Sequence, residues 1–462
     1  MSQSSADRFE EIVTFAKRKG FVYAGSEIYG GLANTWDFGD KGVKMLRNIR
    51  ELWRKKLVLE RPDMLELDAS IFMNSRVWEA SGHIASFADV LVDDKNTKHR
   101  FRADHLVEEQ LGIDVEGKSS EEITKFIHEN NLINPLTKKP GDWTEARTMN
   151  LMFETNRDKI GRDPAQTIYL RPETAQAIFV DFKNILQTER PKLPFGVAQI
   201  GKAFRNEITP GNFLFRVVEF EQMEIEYFIR EEQWQEKFEE WLALEKSFLF
   251  ETLGIKPENI REIEHAAEKL SHYSKRTVDL EYQYPFGFKE LWGLAYRTDF
   301  DLHAHKAHSG QNIDYINDDG SKYMPHVIEP SIGLGRLFLA ILCDAYVEEM
   351  VENETRIVLK VVPEVAPFRA AVLPLMKKDG LGEKARELWL SLKKQGFGID
   401  YDEAGSIGKR YRRQDENGTP WCITLDYDTL NDNTVTVRNR DTMIQARVAL
   451  TDIAHYIINT PL

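Results

Sequence analysis

Apolar residues recur at helical spacing from Asp7 to Lys19, where Phe9, Ile12, Val13 and Ala16 share one face and Gly20 closes the segment. The glycine-dense stretch EIYGGLANTWDFGDKG follows, and then a longer helical pattern through MLRNIRELWRKKLV. Short strands are predicted at MLELDAS and FADVLVDD. From Gly112 to Asp142 the chain turns polar and charged. Ser119 and Glu122 have the spacing of a capping box in front of Ile123, Phe126 and Ile127. This predicts an insertion over about 112–150 that carries its own small helix.

Strand patterns then return at TIYL, FGVAQIGKAF and FLFRVVEFEQMEIEYFI. They are interrupted by helical readings over Glu231–Leu253 and Ile260–Ser271. FLAILCDAYVEEM reads as a helix and VENETR as a linker, which bounds a first unit at 1–350. Beyond it strand and helix alternate: RIVLKVV, the helix EKARELWLSLKKQ ending at Gly396, GIDYD, a loop, WCITLD, NTVTVRN and a final helix AHYII. That is the pattern of a separate α/β domain over 354–462. No internal repeat or low-complexity segment appears.

Composition narrows the class. A chain of 462 residues, 42% apolar and 29% charged, is an ordinary globular sequence of two to four domains. Its two cysteines, Cys343 and Cys422, form no CxxC pair, so a disulfide framework or cysteine zinc site is not expected. MSQSSADRFEEIV has neither the basic nor the apolar region of a signal peptide, and LFLAIL is too short to span a bilayer. A cytoplasmic protein with no membrane association is expected. The net charge of −14 is unevenly spread: residues 354–462 carry a net of +1 and the preceding residues −15. Local basic clusters bind phosphates, so the global charge does not exclude a nucleic-acid partner.

The candidate chemistry lies in FRNEITPGNFLFRVVEFEQMEIEYF. Alternation along strands sets Gln199, Arg205 and Glu207 on one face, and Arg216, Phe220, Gln222 and Glu224 on one face of the next strand. Phe215, Val217, Met223, Ile225 and Tyr227 take the opposite, core-facing side, with ITPGNFL as the turn. Arginines can fork onto phosphate or carboxylate, a phenylalanine can stack a base, and a glutamate can bind an ammonium. Pattern alone equally fits a solvated hairpin with cross-strand pairs. A second element, PHVIEPSIGLGRLFLAIL, reads as a strand with Glu329 and Ser331 on one face, then Gly333-x-Gly335-Arg336 opening an apolar helix. Glycines there let backbone approach a ligand, and the helix start favours an anion. No GxxxxGK[ST] motif is present. His303, His305 and His308 in HAHKAH do not have zinc-site spacing.

These motifs resemble those of class II aminoacyl-tRNA synthetases. The FRNE hairpin with Phe220 resembles their motif 2, and EPSIGLGR resembles motif 3. SEIYGGLANTWDFG, VWEASGH, FRADHL, YLRPETAQAIF and RTDFDL resemble the glycyl-tRNA synthetases of homodimeric type, and GKRYRRQDENGTPWCITLD resembles their anticodon-binding domain. One position departs: IFMNSRVW carries Ser75 where motif 1 usually has proline. The resemblance implies an α/β fold, with an α+β catalytic core built on an antiparallel sheet flanked by helices. It implies ATP and Mg²⁺ as requirements, glycine and tRNA as partners, and a homodimer. Arg205, Glu207 and Arg336 are the implied catalytic residues. ATP is implied to meet Asn206, Phe215, Arg216, Val217, Val218, Glu219, Phe220, Glu290, Leu291, Gly333, Leu334 and Gly335 as well, with Glu290 the metal ligand. Glycine is implied to meet Arg102, Glu173, Phe220, Glu221, Gln222, Met223, Glu224, Arg297, Glu329, Pro330, Ser331, Ile332 and Gly333. Lys409, Arg410, Arg412 and Arg413 are implied to contact tRNA from a loop.

Two other readings share the fold. A synthetase-like chain can be a non-catalytic nucleic-acid-binding subunit, but such a chain is free to lose the ATP arginines that are all present here. A class II enzyme for serine, threonine or proline lacks a reason for so many glutamates around the ammonium and for RPETAQ. Glycine is the smallest amino acid, so competitors can be refused by overlap and no editing domain is required.

Overall fold

The computed structural model describes residues 5–113, 115, 118–156, 167–207, 211–271 and 273–462. A seven-stranded sheet forms its centre. Its strands are β1 (Met64–Glu66), β2 (Phe195–Phe204), β3 (Glu219–Ile229), β4 (Ile260–Glu264), β5 (Arg276–Tyr284), β6 (Gly287–Thr298) and β7 (His326–Gly333), in the order β4-β5-β6-β7-β3-β2-β1. Every pairing is antiparallel except that of the short β1 with β2.

The pleat sorts β3 into two faces. Met223, Ile225 and Tyr227 point into the main core, while Gln222, Glu224 and Glu226 point the other way. Helix α1 (Asp40–Arg54) covers the core face with Met45, Leu46, Ile49 and Trp53, which recur at one helical stripe. Helix α2 (Leu334–Ala345) is apolar almost all round, and Leu337 through Leu342 are all buried. On the opposite face, helix α3 (Ala175–Thr188) buries Ile178, Phe179 and Phe182 against Phe195 and Phe228 at the far ends of β2 and β3. The near half of that face is left open for the polar row.

The predicted insertion has its own small core. Strands Arg100–Arg102, Ala88–Asp93 and Arg147–Asn150 form a three-stranded sheet beneath two helices. The capping box at Ser119 and Glu122 is made in both directions, and Ile123 and Ile127 bury against Val92, Leu106, Val107 and Trp143. The module therefore draws on residues before Gly112 as well. Residues 114, 116 and 117 of this stretch, and 208–210 of the predicted ITPGNFL turn, lie outside the described residues.

The second sheet is formed by β8 (Ala370–Pro374), β9 (Ile399–Tyr401), β10 (Trp421–Leu425), β11 (Thr434–Asn439) and β12 (Gln445–Ala449), in the order β9-β8-β10-β11-β12. Leu381, Ala385 and Leu392 of a covering helix and Ile453 and Ile457 of the last helix complete a core separate from the first.

Five sequence expectations fail, the first being that FLAILCDAYVEEM is one helix: the helix stops at Ala345 and Tyr346–Val351 is a strand. Ile260–Ser271 is not a helix: Ile260–Glu264 is an edge strand paired with β5, its charged side chains held by cross-strand partners such as Arg261 with Glu281. Pairing to a preformed sheet edge overrides a weak helical period. VENETR is the turn of a hairpin between Tyr346–Val351 and Glu354–Leu359, so RIVLKVV pairs backwards and does not join the second sheet. The predicted loop around GKRYRRQDEN is helix α4 (Ile407–Asn417). Finally, β3 begins only at Glu219, so Arg216 and Phe215 sit in the turn before it; Arg216 forms an isolated bridge with Gly211.

Among the described residues no helix is long and apolar enough to cross a membrane.

Candidate active site

The open half of the sheet floors a cleft whose lining comes from β3, β5, β6, β7, the start of α2 and the segment before α3. Its inner end is acidic. Glu224 accepts hydrogen bonds from Ser331 Oγ at 2.7 Å and from Thr174 Oγ1. Burial and the neighbouring Glu173 push its carboxyl up. Glu329 accepts from Arg297 Nη1 at 2.9 Å, yet burial with Glu224 and Glu173 nearby raises its carboxyl well above the ordinary range. Glu173 behaves oppositely. Burial alone would raise it, but His83, whose Nε2 lies 3.3 Å from its carboxylate, together with Arg297 and Gln176, outweighs burial and holds Glu173 well below the ordinary range. His83 is in turn fixed by Ser81 Oγ at 2.7 Å from Nδ1. An inner end of this kind is shaped for a small cation.

The outer end is basic. Arg205 donates from Nε to the Pro172 carbonyl at 3.0 Å, and its guanidinium lies 5.3 Å from the ring centres of both Phe87 and Phe220. It forms no ion pair among the described residues. Arg336 pairs with Glu290 at 2.9 Å, donates to the Phe215 carbonyl at 3.1 Å and lies over the Phe215 ring at 4.5 Å. Arg216 stands 3.8 Å from Glu207. Arg336 holds the Glu290 carboxyl low, whereas burial and Glu290 push Asp279 up to about 6 despite a 2.8 Å contact with His265. Gly293 lies between these two acids: an added Cβ would stand 3.4 Å from Asp279 and 4.0 Å from Glu290. The missing side chain leaves open space beside two carboxylates.

Of the residues singled out in the sequence, Glu173, Arg205, Glu207, Phe215, Arg216, Val217, Phe220, Gln222, Glu224, Glu290, Glu329, Ser331, Gly333, Gly335 and Arg336 line this cleft together. Others do not. The side chains of Met223, Leu291, Ile332 and Leu334 are buried in the main core. Glu221 points away and pairs with Arg50 at 2.7 Å, and Glu219 pairs with Lys202 at 2.8 Å. Pro330 alternates away from Glu329 and Ser331, Val218 meets Arg205 only through its carbonyl, and the Asn206 amide donates to the Leu151 carbonyl. Arg102 sits in the small sheet, 3.2 Å from Asp89 and 3.1 Å from Asp104, outside the lining. Arg297 is fully buried behind the cleft, held by Asp301 at 2.8 Å, and reaches it through Glu329 and through the Tyr273 ring, 3.9 Å from its guanidinium.

On α4 only Lys409 is exposed without a partner among the described residues. Arg410 is buried and donates to the Pro374 and Leu375 carbonyls, Arg413 pairs with Asp402 at 2.6 Å, and Arg412 lies 3.8 Å from Asp415. Sequence reading missed His83, Thr174, Gln176, Glu226, Asp279 and His265. Glu226 carried a signal, because it extends the alternation of Phe220, Gln222 and Glu224.

An antiparallel sheet with its cleft between a charged hairpin and a strand–glycine–arginine–helix turn defines a class II aminoacyl-tRNA synthetase. Residues 155–345 match the family model described as the tRNA synthetase class II core domain (G, H, P, S and T), and residues 369–460 match the anticodon binding domain. Over 456 residues, 97% of each chain, the protein is 51% identical to the glycine–tRNA ligase of Caldanaerobacter subterraneus subsp. tengcongensis. It is 50% identical over 455 residues to that of Alkaliphilus oremlandii and 49% over 459 residues to that of Macrococcus caseolyticus, again covering 97% of each chain. The chain belongs to the glycine–tRNA ligase family.

Proposed function

We propose that this enzyme joins glycine to its tRNA in two steps at the cleft, consuming ATP. The observation that carries the reading is the single row of side chains running from buried carboxylates to Arg205, Arg216 and Arg336. Glycine is a cation at one end and an anion at the other, and ATP is a polyanion. In the first step a glycine carboxylate oxygen attacks the α-phosphorus, the bond to the bridging oxygen breaks, and pyrophosphate leaves with that electron pair. In the second, a terminal ribose hydroxyl of tRNA attacks the glycyl carbonyl, loses its proton, and AMP departs.

Neither step needs a covalent protein intermediate. Positioning and electrostatic stabilisation supply the rate. In this reading Arg205, which has no carboxylate partner among the described residues, holds the α-phosphate and the glycine carboxylate. Phe220 stacks the adenine, Glu207 contacts it, and Arg216 and Arg336 hold the far phosphates. Glu173, Glu224 and Glu329 receive the ammonium, with Ser331 and Thr174 fixing Glu224. Residues such as Met223, Ile332 and Leu334, whose side chains face the core, contribute main chain alone.

The chemistry implies Mg²⁺. Glu290 and Asp279, two carboxylates flanking the space at Gly293, are hard oxygen donors that fit such an ion and would hold it. The ion would neutralise phosphate charge there.

The separate cores support a catalytic unit over about 1–350, extended by the hairpin through Leu359, and an anticodon-reading unit over about 354–462 that starts nearer Ala370. Lys409 is the side chain of α4 best placed to meet tRNA. We also propose a cytoplasmic homodimer. Ile28 and Tyr29, 89% and 86% exposed, supply apolar surface for a second copy. Ser75, in place of the motif 1 proline, opens a helix that Asn74 caps at 3.0 Å, so the helix start survives the change. Amino-acid-dependent pyrophosphate exchange with all twenty amino acids tests the function: exchange with glycine alone is expected, and exchange with serine, threonine or proline instead overturns it.

A further inference from the structure

Glu226 is wholly buried, and neither of its carboxylate oxygens has a hydrogen-bond partner among the described residues. It lies on β3, two residues beyond Glu224 and on the same face. The β3–β7 register pairs Glu224 with Ser331 and Tyr227 with Ile328, which sets Glu226 opposite Glu329. One oxygen from each of Glu224, Glu226 and Glu329 lies within 4.8 Å of the others. Two like charges facing across a sheet destabilise it, and an unpartnered buried carboxylate is more costly still.

The groups around the pair do not supply enough positive charge. Glu224 stands beside Glu226 on β3. Glu173 approaches from the segment before α3, and Asp301 from the helix Phe300–Ser309. Against these acids stand His83, which faces Glu173, and Arg297 of β6, which is already bound to Asp301 and Glu329. Tyr273 borders the group and is neutral. One buried guanidinium and one imidazole cannot balance this many carboxylates, so the cluster must retain a proton.

We propose that Glu226 and Glu329 share one proton in the empty cleft, and that the ammonium group of the incoming amino acid expels it to solvent. Glu226 is thus a positioning residue for the activation reaction. As a neutral acid it donates to Glu329 and keeps the pocket formed; when the ammonium arrives, the added positive charge lets both carboxylates ionise. The inference rests on the reading of this end as the glycine pocket.

The consequence is a pH-dependent glycine affinity. Where the shared proton is present, the glycine KM should fall about tenfold per pH unit as pH rises, and level off once the empty pocket loses the proton by itself. Glu226→Gln keeps the shape and a donor to Glu329 but carries no titrating proton. Measured by pyrophosphate exchange at saturating ATP from about pH 6 to about pH 9, its glycine KM should be nearly flat while the parent's is sloped. Equal slopes in the two proteins would overturn the proposal. If the variant does not fold, the parent decides alone: calorimetry of glycine binding in two buffers of different ionisation enthalpy should show release of about one proton, and release of none refutes it. Absence of any glycine-dependent exchange would instead refute the functional reading.

Discussion

At the residue scale, the cleft keeps opposite charges apart by giving each a different kind of support. Arg205 is held by a carbonyl and two rings rather than by a carboxylate, so its charge stays available. Replacing it with alanine should abolish glycine-dependent pyrophosphate exchange and leave the thermal melt nearly unchanged, because the side chain fills no core; near-normal exchange in a folded variant would remove it from the site. Glu173 is held ionised by His83 and Gln176. A Glu173→Gln change removes one charge-assisted bond to the ammonium, about 1.5–3 kcal/mol, so kcat/KM for glycine should fall roughly 10- to 150-fold. ATP binding should not change, and a parallel loss there would place Glu173 elsewhere. The strand residues of this site were legible in the sequence, because alternation alone puts Phe220, Gln222 and Glu224 in one row and Glu329 with Ser331 in another. His83 and Thr174 were not: one opens the short helix His83–Ser86 and the other precedes α3, their distance from β3 is set by the fold, and no local period announces them. Arg410 shows the converse error. Its charge suggested a ligand, and only burial reveals that it ties together two carbonyls.

At the element scale, local period succeeded where an element has one buried face and failed where its neighbour decides. Helix α1 and the capped helix at Ser120–Glu129 follow their patterns. Ile260–Glu264 does not, because five mostly exposed residues with only a weak period take the conformation of the edge they join. The helix Trp234–Ser247 hides a different conflict. Phe238, Trp241 and Leu242 bury as expected, but so does Glu245, with neither carboxylate oxygen partnered among the described residues. Burial, with a further push from Asp279, raises its carboxyl well above the ordinary carboxylate range. Folding therefore holds a proton that the unfolded chain releases. Stability is full below the unfolded value and declines as pH rises, by up to about 1.4 kcal/mol per unit, until the folded group also ionises. Glu245→Gln should melt close to the parent at pH 5 and above it at pH 8. A gap that does not widen with pH would mean that Glu245 is charged in the folded protein.

At the scale of the whole molecule, the two cores divide between Ala366 and Ala370 rather than at the predicted linker. A chain ended at Pro367 keeps the hairpin, whose register and turn are internal. It should still form glycyl-adenylate, measured by pyrophosphate exchange, while the rate of tRNA charging falls at least tenfold, about 1.4 kcal/mol or more of lost tRNA binding. Charging at the full rate would show that the second sheet does not read tRNA. The seam is not merely a surface contact. Arg356, on the hairpin and 0% exposed, donates to Asp415 of α4 at 2.9 Å, and Asp415 also accepts from Arg438 at 2.9 Å. A chimera carrying the C-terminal part of another synthetase would inherit Arg356 from the host together with Glu349, 2.8 Å away on the same hairpin, but would take the partner across the seam from the donor. Unless the graft brings an acid to the position of Asp415, the buried guanidinium would keep only Glu349 and lose one charge-assisted hydrogen bond, about 1.5–3 kcal/mol, and the ancestry of the two parts is in that sense chained together by one carboxylate.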